Sequence, residues 1–264
     1  MSSYPPPTFH TTKPHSARVW NYWLGGKDYF EIDREYGDKV IEIYPGIIEH
    51  ARASRAFLSR VVTYLAGEMG IRQFLDIGTG LPVADNTHEV AQAIAPECRV
   101  VYVDNDPLVL AHARALLVGT PEGATAYIDV DLHEPQKIVD SAAATLDFRR
   151  PIALMLLGAM GNVADTDEAY AIMSLLRDAL PAGSYLTVSD GSGPRDEAKA
   201  ETLRRLNNEE GYGYHARSPD QIARFFDGLE LVEPGVVSVS QWRPDPRDGQ
   251  PPVVGQFGGV ARKL

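Results

Sequence analysis

Phe74-Leu75-Asp76-Ile77-Gly78-Thr79-Gly80 reads as a short apolar strand that ends in a carboxylate and runs directly into a glycine turn. Gly78 and Gly80 lack a Cβ, so they can adopt positive φ and let a ligand lie against the backbone, while the helix that follows directs its amide ends at whatever binds there. The stretch therefore predicts the first strand and turn of a doubly wound α/β domain with a nucleotide or nucleoside cradle. A glycine-x-glycine turn alone does not decide this, because many strand-to-helix turns use glycine only to turn.

Arg99-Val100-Val101-Tyr102-Val103 supplies the second strand, and it closes on Asp104-Asn105-Asp106-Pro107. In a doubly wound sheet the second strand lies beside the first, so Asp104 faces the ligand crevice and can accept both hydroxyls of a ribose. A dinucleotide turn carries a third glycine for close helix packing, and here that place is Val83. A pyrophosphate would also be repelled by Asp76. S-adenosylmethionine has a cationic sulfonium-and-ammonium end and no phosphate, which suits an acidic crevice; NAD is the runner-up.

Composition narrows the classes. A chain of 264 residues can bury roughly three quarters of its unfolded surface in one α/β domain. The net charge of -11 disfavours a nucleic-acid partner. The single Cys98 cannot form an internal disulfide, no Cys/His cluster has metal spacing, and no apolar run has the length of a membrane span. A cytoplasmic protein without a metal or a membrane partner is expected, with its oligomeric state open.

Residues 1–15, with Pro5-Pro6-Pro7, read as a disordered arm. Ser16 can cap a helix with Val19, Trp20, Trp23 and Leu24 on one face, ended by Gly25-Gly26. The Asp28 and Glu31 spacing predicts a capping box for a second helix, and a third runs near Ala51 to Ala66. Residues 16–70 thus form a helical cap ahead of a cofactor domain at 71–264. The aromatic residues Trp20, Tyr22 and Trp23 can pack a core, or the element can lie over the cofactor as a lid with Asn21, Tyr22, Gly26 and Lys27 near its methionine end. Arg55 can reach a carboxylate there or sit on a solvated face.

Beyond the turn, Asn86-Thr87 can cap a helix with Val90, Ala91 and Ile94 inward, and Pro107 opens another whose apolar residues include Leu116 and Leu117. Ala124 to Val130, Pro151 to Leu157 and Ser184 to Val188 read as strands three to five. The unbroken apolar run before Gly158 suits a central strand covered on both faces, and Gly158 to Val163 should line an acceptor pocket. Asp165 with Glu168, and Ser218-Pro219-Asp220-Gln221, are helix starts, with a charged helix from Ser192 to Asn208 between them. Segments near Leu229 to Val232, Val236 to Val239 and Val253 to Ala261 complete the sheet, the last antiparallel.

Asp76-Ile77-Gly78-Thr79-Gly80, Val101-Tyr102-Val103-Asp104 and Tyr127-Ile128-Asp129-Val130-Asp131-Leu132 resemble the motifs of class I S-adenosylmethionine-dependent methyltransferases. Ala17 to Asp28 and Asn86-Thr87-His88-Glu89-Val90 resemble an actinobacterial branch of that superfamily long classed as a domain of unknown function. The resemblance implies a Rossmann-like, mostly parallel seven-stranded sheet with an antiparallel C-terminal strand and an N-terminal helical lid. It implies S-adenosylmethionine as cofactor, Asp131 on the adenine amino group and Leu132 over the ring. The cofactor-binding set is then Asp76, Gly78, Gly80, Asp104, Asn105, Asp131, Leu132, Gly158, Tyr22 and Gly26. Where the branch tends to carry Leu-His-Phe-Val, this chain has Met160-Gly161-Asn162-Val163.

The activity expected is in-line methyl transfer to a small-molecule acceptor. Such a reaction needs a nucleophile held at about 3 Å and water excluded, so no catalytic residue is assigned. His88 and His215 can each be a base, or respectively a partly exposed and a packing or solvated histidine; Tyr22, Tyr212 and Tyr214 can shape an aromatic acceptor pocket or pack. A cofactor-binding regulatory protein without turnover is the alternative, and an NAD-dependent oxidoreductase the next.

Overall fold

The β-branched and apolar runs of the sequence become neighbouring parallel strands. The computed structural model describes residues 12–116 and 119–264; most of the expected arm, and Leu117, lie outside the described residues. Strands β1 (Gln73–Ile77), β2 (Arg99–Asp104), β3 (Ala124–Asp129), β4 (Ala153–Leu157) and β5 (Tyr185–Gly191) are all parallel. With β6 (Glu230–Leu231), β7 (Val237–Ser238) and β8 (Gln256–Arg262) the sheet order is β3-β2-β1-β4-β5-β8-β6, with β7 also on β8.

The sheet is Rossmann-like and mostly parallel, with β8 antiparallel to β5 as expected. It is seven positions wide but holds eight strands, because β6 and β7 share the outer edge of β8 end to end. Glu233-Pro234-Gly235 separates those two strands; a proline there has no N–H to give to a ladder.

The helices are α1 (Ser16–Trp23), α2 (Glu31–Ile43), α3 (Ile47–Thr63), α4 (Thr87–Ile94), α5 (Pro107–Leu116), α6 (Pro135–Ala142), α7 (Thr166–Asp178), α8 (Glu197–Glu210) and α9 (Pro219–Ala223). On one sheet face Leu75, Val101, Leu154 and Leu186 pack against Ile138, Ile172 and Leu176. On the other, Phe74, Val100, Met155 and Val260 pack against Phe57 and Val61 of α3 and against Trp242. Truncating one such fully buried side chain to alanine costs about 2–5 kcal/mol. A third cluster ties α1, α2 and α3 together through Val19, Trp23, Tyr36, Val40 and Ala51. None of the helices is long and apolar enough to cross a membrane, among the described residues.

Several element ends differ from the sequence expectation for local reasons. Helix α2 starts at Glu31 rather than at Asp28, because the Asp33 carboxylate accepts the Phe30 amide at 2.9 Å. Helix α3 starts at Ile47, directly after Pro45-Gly46, and continues into a π-turn at Tyr64–Glu68. Helix α8 starts only after Asp196, whose carboxylate accepts the Lys199 amide, since Gly193-Pro194 keep the preceding chain non-helical. Ile94 is exposed, not inward; Gln92 takes the buried place beside Ala91 and its amide holds Cys98 O and Thr120 N.

Candidate cofactor and acceptor site

The strand order reverses between β1 and β4, the point where an open α/β sheet leaves a crevice at its strand ends. There the chain after β1 turns through Gly78 (φ +73°) and Gly80 (φ +68°). The Gly78 amide donates to Val103 O at 2.8 Å, pinning the turn to β2. A Cβ on Gly78 would lie 2.5 Å from the Ala159 Cβ, so glycine is required for both conformation and space.

A cavity of about 360 Å³ opens over this turn. Its floor includes Asp76, Gly78, Gly80, Asp104, Asn105, Asp131, Leu132 and Gly158, eight of the ten residues expected to bind cofactor. They come from the ends of four different strands, so only the parallel register brings them to one rim.

The three acids differ in environment. Asp76 is buried, and desolvation pushes its carboxyl up to about 6, against the opposing effects of a 2.6 Å hydrogen bond from Thr87 Oγ1 and of the nearby Arg55. Asp104 is also raised by burial, although it accepts the amides of Gly80 (2.9 Å) and Asp106 (3.0 Å). At Asp131 burial acts upward, but donors from His133 and from Asn105 Nδ2 (2.7 Å) outweigh it and the net shift is downward.

Tyr22 and Gly26, expected near the methionine end, are placed by the structure away from the cavity. Neither lines the cavity. The Tyr22 hydroxyl donates to Asp38 of α2, because residue 22 falls on the α2-facing side of α1. Gly26 packs behind Asn21: a Cβ there would lie 2.2 Å from Asn21 Oδ1. Asn21 itself does line the cavity, with Ala17, Trp20 and Leu24 of the same helix and its C-cap.

Other candidates also separate. His88 is buried rather than partly exposed, its ring and amide both on the Tyr102 hydroxyl at 2.8 Å. His215 is exposed, and its amide donates to Gly161 O. Tyr212 stacks on Tyr36, and the Tyr214 hydroxyl donates to buried Asp190; neither lines the cavity. The ring of Tyr214 fills the space a side chain at Gly161 would need, at 2.3 Å from a built Cβ. Of the segment Gly158 to Val163, Gly158, Ala159 and Asn162 face the cavity, while Met160, Gly161 and Val163 are buried below.

Sequence reasoning left out His15, Ser54, Leu58, His133 and Leu157, all of which line the cavity. His15, taken as part of the arm, lies with its Nδ1 2.9 Å from the Asp106 carboxylate and donates its amide to Asp33. Ser54 and Leu58 carried a signal in their i, i+4 spacing beside Arg55. Arg55 is at the cavity wall, its guanidinium on Ala84 O and Asp85 O at 2.9 Å.

The sequence profile of the S-adenosyl methyltransferase family matches residues 2–264. No curated protein matches the chain. A DUF574 family protein from Streptomyces avermitilis is 44% identical, over 96% of this chain and 99% of its own, with a TM-score of 0.91. A protein assigned as a methyltransferase from Thermobifida fusca YX is 42% identical over 99% of both chains, with a TM-score of 0.87. A SAM-dependent methyltransferase from Anabaena variabilis shares the fold at 13% identity, covering 100% of this chain and 99% of its own with a TM-score of 0.52. Strand order, acid-rimmed cavity and whole-length similarity agree: the chain belongs to the S-adenosyl methyltransferase family.

Proposed function

We propose that this protein transfers a methyl group from S-adenosylmethionine to a small-molecule acceptor. The observation that carries the reading is the convergence of Asp76, Asp104 and Asp131 on one cavity beside the Gly78 and Gly80 turn. Those groups fit the cofactor. Carboxylates accept from ribose hydroxyls, an adenine amino group and a methionine ammonium, and a Cβ would fill the space at Gly78. A pyrophosphate would face the same three acids, with Arg55 already engaged on two carbonyls.

In this reading Asp104 and Asn105 hold the ribose, Asp131 and Leu132 the adenine, and Asp76 the cationic end. The bound cofactor supplies a methyl carbon already activated by a sulfonium. The chain's own work is to orient the acceptor and exclude water, which is how positioning accelerates a displacement. Residues 16–70 serve as the helical lid, with Trp20, Asn21 and Leu24 over the cavity, and 71–264 as the cofactor domain. A cytoplasmic setting and a small acceptor suit the acidic chain, whose net charge of -11 opposes nucleic acid.

Calorimetry with S-adenosylmethionine, S-adenosylhomocysteine and NAD, followed by release of S-adenosylhomocysteine over a metabolite panel, tests the reading. Binding of the first two and product release support it. Binding without release on any acceptor favours a regulatory protein instead, and tight binding of NAD alone overturns both.

A further inference from the structure

We propose that His133 is a positioning residue for the base of the cofactor: together with Asn105 it fixes the Asp131 carboxylate with one acceptor site left, on Oδ2, for the adenine amino group, and so makes the site choose adenine over hypoxanthine. This inference rests on the methyl-transfer reading above, which puts the base at Asp131, and adds to it the residue that sets the choice of base.

Asp131, Leu132 and His133 are consecutive, lie in the turn between β3 and α6, and all line the cavity. The turn closes on itself. The His133 amide donates to Asp131 Oδ1 at 2.9 Å and the Glu134 amide to Asp131 O at 2.9 Å, after which Pro135 opens α6. The imidazole comes back to the same carboxylate oxygen, with Nδ1 2.6 Å from Oδ1. From just after β2, Asn105 Nδ2 donates to Oδ2 at 2.7 Å.

An ionised carboxylate only accepts, with about two sites on each oxygen. Oδ1 therefore has both of its sites filled by His133, and Nδ1 must carry the proton of that contact. Oδ2 has one site filled by Asn105 and one free among the described residues. Donors from two elements hold the two oxygens, so the carboxylate cannot turn to offer Oδ1 without breaking the contacts to both His133 and Asn105.

Asp131 also differs from the other two acids of the cavity. Burial raises Asp76 and Asp104, whereas at Asp131 its upward effect is outweighed by the donors of His133 and Asn105, and the carboxyl lies below its ordinary value. An acid kept ionised by its own donors needs no cationic ligand. It suits a neutral amino group and opposes a ring carbonyl, because two acceptors would then face each other unpaired. The side chains of Asp131 and His133 are 41% and 47% exposed. A contact this open contributes little to stability, so its effect belongs to ligand selection and not to the thermal midpoint.

The test measures S-adenosylhomocysteine and S-inosylhomocysteine, the same compound with hypoxanthine as its base, by calorimetry on the full chain. The unaltered protein should prefer the adenine compound by about tenfold or more. His133→Phe keeps a ring and removes the donor; it should weaken S-adenosylhomocysteine by about fivefold or more and S-inosylhomocysteine by less than about twofold, with the thermal midpoint unchanged. His133→Asn loses the ring and keeps a donor at the place of Nδ1, and it should restore the preference. In an Asp131→Ala background His133→Phe should have no further effect, because His133 acts through Asp131. Equal affinity of the unaltered protein for the two compounds, full preference in His133→Phe, no recovery in His133→Asn, or an undiminished effect of His133→Phe in the Asp131→Ala background would each overturn the assignment, the last by showing that the imidazole meets the base directly. Failure of the unaltered protein to bind S-adenosylhomocysteine is a different result and would remove the methyl-transfer reading itself.

Discussion

The amide of Gly80 donates to Asp104 Oδ2 at 2.9 Å, so the second glycine of the turn and the acid that closes β2 form one unit. The contact spans two strands and explains why the crevice is pre-shaped: the carboxylate is already oriented by backbone donors from both sides, at Gly80 and Asp106. Preorganised donors reduce the ordering cost of binding.

Asp104→Ala should therefore weaken the cofactor more than it weakens the fold. Each lost charge-assisted hydrogen bond is worth roughly 1.5–3 kcal/mol, which corresponds to about tenfold to more than a hundredfold in affinity. Calorimetry with S-adenosylhomocysteine reads this directly; unchanged affinity in a folded variant would refute the ribose role.

Gly78→Ala tests the turn. A left-handed conformation costs a non-glycine residue about 1–2 kcal/mol, and the new Cβ would also meet Ala159 at 2.5 Å. A lower thermal midpoint together with impaired cofactor binding is expected. A variant as stable and as tight as the original would show that the turn can open without loss.

Binding should depend on pH through Asp76. Its folded pKa, raised to about 6 by burial, lies above the ordinary value near 3.9. The folded, ligand-free protein therefore holds this proton more tightly than the unfolded chain, and the stability it contributes is lost as pH rises from about 4 through about 6. Buried Asp190, also raised to about 6, acts with the same sign. A cationic ligand favours ionised Asp76, so S-adenosylmethionine affinity should rise with pH across about 5 to 7, with proton release. Calorimetry in buffers of different ionisation heat measures that release, and a flat profile would contradict the assignment.

Arg217 holds the loop after β4 from beneath. Its guanidinium donates to Met160 O and Val163 O, both at 2.6 Å, and lies 3.6 Å from Asp190. Arg217→Met leaves a buried acid uncompensated and should destabilise the protein by about 3–5 kcal/mol. Urea denaturation would show it; a loss under about 1 kcal/mol would mean the loop is held by packing alone.

The lid assignment predicts a change in exchange. Amide protection in Ser16–Trp23 should rise on binding S-adenosylhomocysteine, since Ala17, Trp20 and Asn21 face the cavity. Equal protection with and without ligand would leave α1 as a fixed wall.

Local chemistry makes much of this molecule legible in its sequence. Strand-forming runs, helix caps at Asn86, Asp165 and Ser218, and the glycine turn are written in neighbouring residues, because propensity, capping and backbone conformation act over a few positions. The acids at the ends of β1 and β2, and Asp131 just after β3, were readable for the same reason: a doubly wound sheet puts its strand ends on one rim. What the sequence could not convey was which side of each N-terminal helix meets that rim. Tyr22 turns to Asp38 and Trp20 to the cavity, although both sit on one short helix of similar residues. His15 crosses to Asp106, and His50 is buried between Trp20 and Tyr44. Those placements follow from how α1, α2 and α3 dock on one another, a balance of long-range packing that no local pattern encodes.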